Sequence, residues 1–373
     1  MNFRFTEEQS MLRDMARRWV AERYDLKRRK AAASTGFDRA AWAEMAEMGW
    51  QGVALPEAAG GSAGGAVETM IVMEEIGRGL MVEPYLATAV IAPAALMLTG
   101  AADDDARLAA IAEGRLVVAF AHDEPGLRDP AAPRTSRAVP AGDGWRLDGT
   151  KSVVRAGVEA DCLLVSASMP GGTTGLFLVE ATAPGITRTG YPTLDGMTAA
   201  EIGFAGTTVP AEALLAAEAD VILAALIDRA ITAELAEAVG VMERLKAATL
   251  EHLRTRRQFG QEIGRFQALQ HRMADIHIAC EEARSMVIMA TVALAEDDVL
   301  ARARAVSAAR LHVAELAMHV GREAIQLHGG IGMTDEMIVG HGFKRLKVIA
   351  AGMGGNDLHL DRFIATAEQS NAA

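Results

Sequence analysis

The sequence predicts an α+β protein in which an N-terminal helical domain, a middle antiparallel β domain and a C-terminal four-helix bundle follow one another. Three observations carry this prediction: apolar residues repeat at helical spacing up to about residue 98, short alternating runs fill the stretch up to about residue 215, and very long helical patterns follow. A chain of 373 residues is long enough for two or three packed domains. The predicted domains span residues 1–115, 116–216 and 217–373.

The N-terminal domain begins with a helix-start signal. Thr6 precedes two glutamates and Gln9, which predicts an N-cap with acidic first-turn residues, and apolar side chains then recur at helical spacing. Further helical segments are expected over 40–48 and 67–78. The glycine-rich stretch 60–65 between them is best explained as a flexible connection.

The middle domain is predicted from short runs in which β-formers alternate and Gly, Pro or Asp intervenes. Strands at such close spacing are typical of a small antiparallel barrel or sandwich, inserted here between helical layers. The six predicted strands are LVVAFAH, GWRLDG, DCLLVSAS, GLFLVEA, AEIGFAG and TTVP.

The C-terminal domain contains helical patterns far longer than average, which predict a long antiparallel bundle. Some turns, over 288–294 and 313–320, are apolar all round, so we expect burial against a second chain and hence an oligomer. The predicted helices cover residues 219–255, 265–296, 299–327 and a last one from about residue 335.

Composition excludes several classes of function. A net charge of −12 argues against nucleic acid as a partner, and no run approaches the roughly 20 apolar residues of a membrane span. The start of the chain has no signal-peptide pattern, so we expect a cytoplasmic protein. Cys162 and Cys280 lie apart in apolar contexts and predict core thiols rather than a disulfide. No metal site is expected, since only His312 and His319 share a helical face.

Two stretches suggest a grip for a nucleotide diphosphate. The first, RTRRQFGQEIGRFQALQHRMA (254–274), places clustered arginines and a Phe-Gly turn between two long helices. These arginines either complement the negative end of a helix dipole or read a diphosphate through their planar guanidinium groups. The second, QLHGGIGMTDE (326–336), interrupts a helix with glycines, whose backbone can approach a phosphate closely.

With these stretches the chain resembles the acyl-CoA dehydrogenase family. FTEEQSMLRDMARRW, LPEAAGGSAGG and DGTKSVVRAG extend the resemblance over almost the whole chain, and VETMIVMEEIGRGLMVEPYLATAV and IVGHGFKRL make it similar to the small subunits of bacterial pimeloyl-CoA (dicarboxylyl-CoA) type dehydrogenases. The resemblance implies FAD as cofactor, α,β-desaturation of an acyl-CoA in fatty acid or lipid breakdown, an electron-transfer flavoprotein as acceptor, and a homo- or hetero-oligomer.

The resemblance also implies which residues hold FAD. In the family the group that binds the adenosine diphosphate half acts across a subunit interface, on the flavin of the neighbouring chain. HDEPGLRDP (122–130) keeps only part of a family motif, and Val153, Val154 and Arg155 replace an aromatic residue and Ile-Thr at the flavin ring. The candidate cofactor-binding residues are Arg256, Phe259, Gln267, Gln326, Gly329, Gly330, Glu124, Val154 and Asn356.

The catalytic base is the point at which the sequence departs from the family. The chemistry needs a carboxylate to remove the α-proton of the thioester. Met353 occupies the usual glutamate position near the C-terminus, and Ala230 occupies the second known position on the first helix of the C-terminal domain. Asp228 is the candidate base that remains, although two residues along a helix is about 200° of rotation. Its alternative role is a helix-start charge or an ion pair with Arg229. Glu234, further along, is expected to face a neighbouring helix.

Four hypotheses follow for the function. The chain is a self-sufficient dehydrogenase with Asp228 as base, a partner subunit that completes the FAD site of a second dehydrogenase subunit, a flavoprotein oxidase such as a nitroalkane oxidase, or a binding protein without flavin. The resemblance favours bulky or dicarboxylic acyl groups. Arg128 or Arg155 either meets a distal carboxylate or is a surface charge.

Overall fold

The computed structural model describes residues 4–100 and 105–372; residues 1–3, 101–104 and 373 of the predicted terminal domains lie outside the described residues. Helices fill the first part of the chain, as predicted. Thr6 caps the first helix: its hydroxyl accepts from the Gln9 N–H at 3.2 Å, and the Thr6 N–H donates to the Gln9 side chain at 3.0 Å. The helices are α1 (Glu7–Arg23), α2 (Leu26–Ser34), α3 (Arg39–Glu47), α4 (Ala66–Gly79), α5 (Ala92–Thr99) and α6 (Asp105–Ala112), with a π-helix at Leu86–Ile91 before α5.

One eight-stranded sheet follows, in the order β6-β7-β3-β2-β4-β5-β8, with β1 beside β4. Most neighbours are antiparallel, as expected, but β4 pairs in parallel with β1 and with β2. AEIGFAG and TTVP, predicted as two strands, form the single strand β7, and three strands (β2, β6 and β8) were not predicted. The strands are β1 (Val118–Ala121), β2 (Arg137–Ala141), β3 (Gly144–Arg155), β4 (Cys162–Ser168), β5 (Thr174–Glu180), β6 (Ile186–Pro192), β7 (Thr198–Pro210) and β8 (Leu214–Ala216).

Long helices complete the chain and agree with the predicted bundle. The last predicted helix is in fact two, because the segment 352–355 interrupts it, with Gly354 at φ +85°. The elements are α7 (Asp220–Thr255), a short hairpin of β9 (Arg257–Gln258) and β10 (Gln261–Glu262), α8 (Gln267–Ala293), α9 (Val299–His328), α10 (Ile338–Ala351) and α11 (Asn356–Ala372).

The chain divides into two compact units. The helical unit comprises residues 1–30, 66–81 and 231–373, and the sheet unit comprises residues 31–65 and 82–230. Among the described helices, none has the length and apolarity needed to cross a membrane. The described side chains form no cluster of His, Cys, Asp or Glu suited to a metal ion.

Inside the helical unit, α4 and α7 cross at two glycines. A Cβ at Gly240 would lie 1.8 Å from the Glu74 carbonyl oxygen, and one at Gly77 would lie 2.0 Å from the Glu237 carbonyl oxygen. The backbones therefore touch directly. A buried ion pair joins α7 to α10 nearby: Arg345 donates from Nε and Nη2 to the two oxygens of Glu237, each at 2.6 Å.

Candidate active site

The hairpin between α7 and α8 presents the Phe-Gly turn to solvent. Phe259 and Gly260 both have positive φ, +53° and +81°, which suits a tight two-residue hairpin between β9 and β10. Phenylalanine rarely adopts such a backbone. The Phe259 side chain is 88% exposed and touches only one described ring, that of Phe266, edge-on at 6.0 Å. The hairpin thus holds the Phe259 ring in solvent, where a ligand or a partner chain can reach it.

A pair of stacked histidines joins the two predicted binding stretches. The rings of His252, near the end of α7, and His328, at the end of α9, lie 4.4 Å apart. Burial lowers the pKa of both imidazoles; for His252 the nearby charges of His328 and Arg256 add to the effect. The lowered pKa values favour the uncharged form of both rings. Gly329 directly follows His328 in sequence, and Arg254 follows His252 by two residues.

The predicted diphosphate-binding residues share one property: they are exposed. Gly329 has φ +65°, which ends α9 in a conformation that favours glycine, and added Cβ atoms at Gly329 or Gly330 would meet no other atom within 4 Å. A ligand can thus reach the backbone here. The exposed set is Arg256, Phe259, Gln267, Gln326, Gly329, Gly330 and, at the start of α11, Asn356.

The segment after Gly330 is held by Lys30 and His341, neither of which the sequence predicted to contact it. Lys30 donates to the Asp335 carbonyl oxygen at 2.6 Å and pairs with its carboxylate at 2.9 Å, and His341 Nε2 donates to the same carbonyl at 3.0 Å. These contacts link α2 and α10 to the glycine-rich segment. No pattern local to 326–336 could have predicted them, because Lys30 and Asp335 are separated by 305 residues in sequence.

Met353 lies in the segment 352–355, which is held by backbone contacts. Arg310, buried on α9, donates from Nη2 to four carbonyl oxygens, two of them those of Ala350 at 2.9 Å and Gly352 at 3.0 Å. His359 Nε2 donates to the Met353 carbonyl at 2.8 Å. Met353 itself has φ +51°. The segment predicted to carry the base is therefore held by hydrogen bonds, and the methionine side chain at position 353 cannot take a proton.

A buried carboxylate, Glu234, lies beside this segment. A Cβ at Gly352 would be 3.8 Å from Glu234 Oε2. Burial lowers the pKa of Arg310, and the Glu234 charge opposes this shift. From the sequence, Glu234 was expected only to face a neighbouring helix. Glu234 follows Ala230 by four residues and therefore lies on the same face of the helix. This spacing could have predicted that Glu234 lies near the position expected for the base.

The other two candidate positions lie in the sheet unit, in the first turns of α7. Asp228 is completely buried, and so is Ala230. Asp228 is therefore a buried carboxylate close in sequence to the second known base position. The chemistry it can perform is general base catalysis, on condition that a substrate reaches it.

The strand β3 contains a bulge at the residues expected beside the flavin ring. Its register with β7 shifts between Lys151 and Val154, and Val153 has φ +53°, a genuine outlier for a β-branched residue. The Val153 N–H donates to the Tyr191 hydroxyl at 3.0 Å, and its side chain is 49% exposed. The side chain of Val154, which is predicted to contact the cofactor, packs into the buried core of the sheet unit. The bulge thus turns the Val153 side chain outward and the Val154 side chain inward, and the cofactor contact of Val154 stays a prediction.

Glu124, also predicted to contact the cofactor, forms an ion pair and hydrogen bonds inside the sheet unit. Its Oε1 pairs with Lys151 Nζ at 2.6 Å, and its Oε2 accepts from the Thr135 N–H at 2.6 Å. Burial alone would raise the pKa of Glu124, but Lys151 and the Thr135 donors hold it below its usual range. Both oxygens of the Glu124 carboxylate are thus hydrogen-bonded within the sheet unit, and its role at the cofactor stays a prediction.

Comparisons with known proteins decide the family. The model of the acyl-CoA dehydrogenase N-terminal domain matches residues 6–114, and that of the C-terminal domain matches residues 223–367. The acyl-CoA dehydrogenase FadE12 of Mycobacterium tuberculosis is 31% identical over 356 residues, which cover 89% of this chain and 88% of the relative. The chain belongs to the acyl-CoA dehydrogenase family. This acyl-CoA dehydrogenase homologue is thus a flavoprotein oxidoreductase that uses FAD and acts on acyl-CoA.

Solved structures support the family fold over the full length. A variant of the steroid acyl-CoA dehydrogenase Tcur3481–Tcur3483 has a TM-score of 0.90 and 33% identity, and the match covers 98% of this chain and 99% of that one. The ChsE4–ChsE5 complex of Mycobacterium tuberculosis has a TM-score of 0.89 and 28% identity, with 99% of each chain covered.

The described residues of this acyl-CoA dehydrogenase chain fit one half of FAD. Exposed arginine, amide and glycine groups beside the stacked histidines suit a diphosphate, as donors and accessible backbone should. The predicted ring-side residues Glu124 and Val154 are buried and engaged within the sheet unit. The residues predicted to bind the diphosphate are therefore exposed, whereas those predicted to lie beside the flavin ring are buried.

Proposed function

We propose that this chain is one subunit of a hetero-oligomeric acyl-CoA dehydrogenase, in which it completes the FAD site of a second subunit that carries the base. The single observation behind the proposal is that neither Met353 nor Ala230 can take a proton, and these are the two positions at which the resemblance places the base. The altered ring-side residues support it too. Two similar solved structures bear paired names, Tcur3481–Tcur3483 and ChsE4–ChsE5.

In this proposal the chain binds FAD and orients it. Arg256 takes the diphosphate through its guanidinium fork, Gly329 and Gly330 let backbone N–H groups approach it, and Phe259 covers the adenosine half. FAD bound by these residues would supply the acceptor for the β-hydride of the acyl-CoA, and a carboxylate of the partner subunit would remove the α-proton. An electron-transfer flavoprotein is the proposed electron acceptor, and the cytoplasm the proposed location.

The substrate we propose is a bulky acyl-CoA thioester. The support is that the similar protein Tcur3481–Tcur3483 is named a steroid acyl-CoA dehydrogenase, together with the resemblance to dicarboxylyl-CoA subunits. Both describe acyl groups larger than a simple short chain. Turnover by the complex can be compared for a steroid-side-chain CoA thioester, a dicarboxylic CoA thioester and butyryl-CoA. This comparison distinguishes steroid, dicarboxylic and short-chain acyl groups as the substrate.

The decisive experiment is a visible spectrum of the chain purified alone and co-expressed with its genomic neighbour, before and after anaerobic addition of acyl-CoA. We expect a lone chain that holds little flavin and does not bleach, and a complex that is yellow and bleaches. Flavin bleaching by acyl-CoA in the lone chain would refute the partner role.

A second candidate is a self-sufficient enzyme with Asp228 as base, favoured by the complete burial of that carboxylate on α7. It predicts that the lone chain bleaches and that Asp228→Asn abolishes bleaching while FAD stays bound. Reduction by a nitroalkane but not by an acyl-CoA would instead indicate an oxidase that uses the same aspartate.

A further inference from the structure

A cleft of about 580 Å³ lies inside the helical unit, between α1, α4, α7 and α8. Its lining includes none of the residues predicted to bind FAD or to act as base. The floor is apolar: Met70, Val239, Val287 and Ile288 come from three different helices. Its volume falls within the roughly 300–1,000 Å³ that is usual for small-molecule sites.

Arginines dominate the rim of this cleft. Five arginines and three glutamates line it. Glu75, which pairs with Arg17 and Arg78, makes the count five arginines to four glutamates, and this excess of arginine occurs in a chain with a net charge of −12. The potential at the rim therefore favours an anion.

Ion pairs hold two of these arginines in place and leave donors unused. Arg17 donates from Nε and Nη2 to Glu75 at 3.1 and 2.8 Å, and Arg78 donates from Nε to Glu75 and from Nη2 to Glu74. Within the described residues, Nη1 of Arg17 and Nη1 of Arg78 have no hydrogen-bond acceptor. An arginine offers five N–H donors, so both retain capacity for a ligand while their orientation is already fixed.

Arg284 links the two sides of the cleft. From α8 it contacts Glu74 on α4 at 2.5 Å and Glu243 on α7 at 3.5 Å. Lys246 in turn pairs with Glu243 at 2.7 Å. A continuous series of ion pairs therefore lies above the apolar floor; it runs from Arg17 to Lys246 through Glu75, Arg78, Glu74, Arg284 and Glu243.

We propose that this cleft is a binding site for a small amphipathic anion, with a carboxylate or phosphate head and an apolar body. The unused guanidinium N–H groups of the rim bind the head, and the floor formed by Met70, Val239, Val287 and Ile288 takes the apolar body. The site is separate from the FAD site and goes beyond the proposed dehydrogenase role.

Calorimetric titration of the full chain with decanoate tests the proposal. We expect saturable binding at one decanoate per chain. Decan-1-ol, which lacks the charge, and inorganic phosphate, which lacks the apolar body, should each bind at least tenfold more weakly. The proposal is overturned if decanoate shows no saturable binding, or if either half-probe binds as tightly as decanoate.

Variants locate the bound decanoate. Arg17→Gln should weaken binding at least tenfold, and the fold is preserved because Arg78 still pairs with Glu75. Ile288→Trp fills the cleft without touching the ion pairs and should abolish binding. Arg322→Gln, an exposed arginine on α9 outside the cleft, is the matched control and should bind like the unmodified chain. Equal decanoate affinity in all three variants would assign the binding to another place, such as an acyl-CoA pocket, and overturn the proposal.

Discussion

Lys151 shows what one charged side chain does in the core of the sheet unit. Its ammonium and the Glu124 carboxylate are both inaccessible to solvent and lie 2.6 Å apart. Removing one partner of a buried pair leaves the other charge uncompensated, which costs about 3–5 kcal/mol. We therefore expect Lys151→Met to lower the free energy of unfolding by about that amount, measured by urea denaturation.

The matched control is Arg146→Met on the same strand. Arg146 pairs with Asp148 at 3.1 Å, but both side chains are about half exposed, and exposed pairs contribute at most about 1 kcal/mol. Equal losses in the two variants would show that burial of the Lys151 pair carries no special energy.

His122 makes the stability of the sheet unit depend on pH. Burial, with the charges of Arg134 and Lys151, lowers its pKa to about 3. Because the folded pKa lies below the unfolded value of about 6.5, stability is fully present above pH 6.5 and is lost progressively as the pH falls towards 3. One proton corresponds to about 1.4 kcal/mol per pH unit. We expect His122→Gln to flatten the dependence of the urea midpoint on pH between about 6 and 4.5; an unchanged slope would contradict the assignment.

The sequence predicts the exposure of some site residues but not of others. The exposure of Arg256 and Phe259 was predictable, since a Phe-Gly turn between long helices has to lie at the surface. The burial of Val154 was not. In a regular strand, every second side chain points to the same face of the sheet. The bulge at Val153 interrupts this alternation, and nothing in the local sequence indicates a bulge there.

At the scale of elements, the contact between α4 and α7 depends on two glycines. A Cβ at Gly240 would lie 1.8 Å from the Glu74 carbonyl oxygen, and backbone cannot move away as a flexible side chain can. We expect Gly240→Ala to destabilise the chain by about 2–3 kcal/mol in urea denaturation, despite the better helix propensity of alanine. Gly355→Ala is the control, because a Cβ there meets nothing within 4 Å. Tolerance of both substitutions would show that the helices can separate without cost.

We expect the β9–β10 hairpin to contribute to FAD binding in the complex rather than to the stability of the lone chain. With Phe259 88% exposed, we expect Phe259→Ala to change the urea midpoint of the lone chain very little. The same variant should lower the FAD affinity of the co-purified complex at least tenfold, as measured by fluorescence of released flavin on dilution. A large loss of stability in the lone chain, with unchanged FAD affinity, would make the ring structural.

Helices were predicted better than strands, and the reason is physical. An apolar stripe at helical spacing is local, so α7 and α9 were predicted with bounds within a residue or two. Sheet order and strand direction depend on pairing between distant segments, and the parallel pairs of β4 have no local signal. The break between α10 and α11 was signalled by Gly352, Gly354 and Gly355, but a helical pattern on both sides obscured it.

For the whole molecule, the proposed partner role has a consequence for the number of bound FAD molecules. The predicted diphosphate-binding residues are exposed in the helical unit, whereas Glu124 and Val154, the ring-side candidates of the sheet unit, are buried. If this chain completes only its partner's site, each pair of unlike subunits binds one FAD. If it is self-sufficient, every chain binds its own.

We therefore expect the co-purified complex to release one FAD for every two chains, measured by absorbance of the acid-extracted flavin against total protein. Within that complex, Asp228→Asn should leave turnover of acyl-CoA within about twofold of the unmodified complex, since the base belongs to the other subunit. Arg256→Gln should lower the FAD content, because it removes the guanidinium fork from the diphosphate. One FAD per chain, with turnover lost in Asp228→Asn, would instead establish Asp228 as the base and make the two halves of the site act within a single kind of subunit.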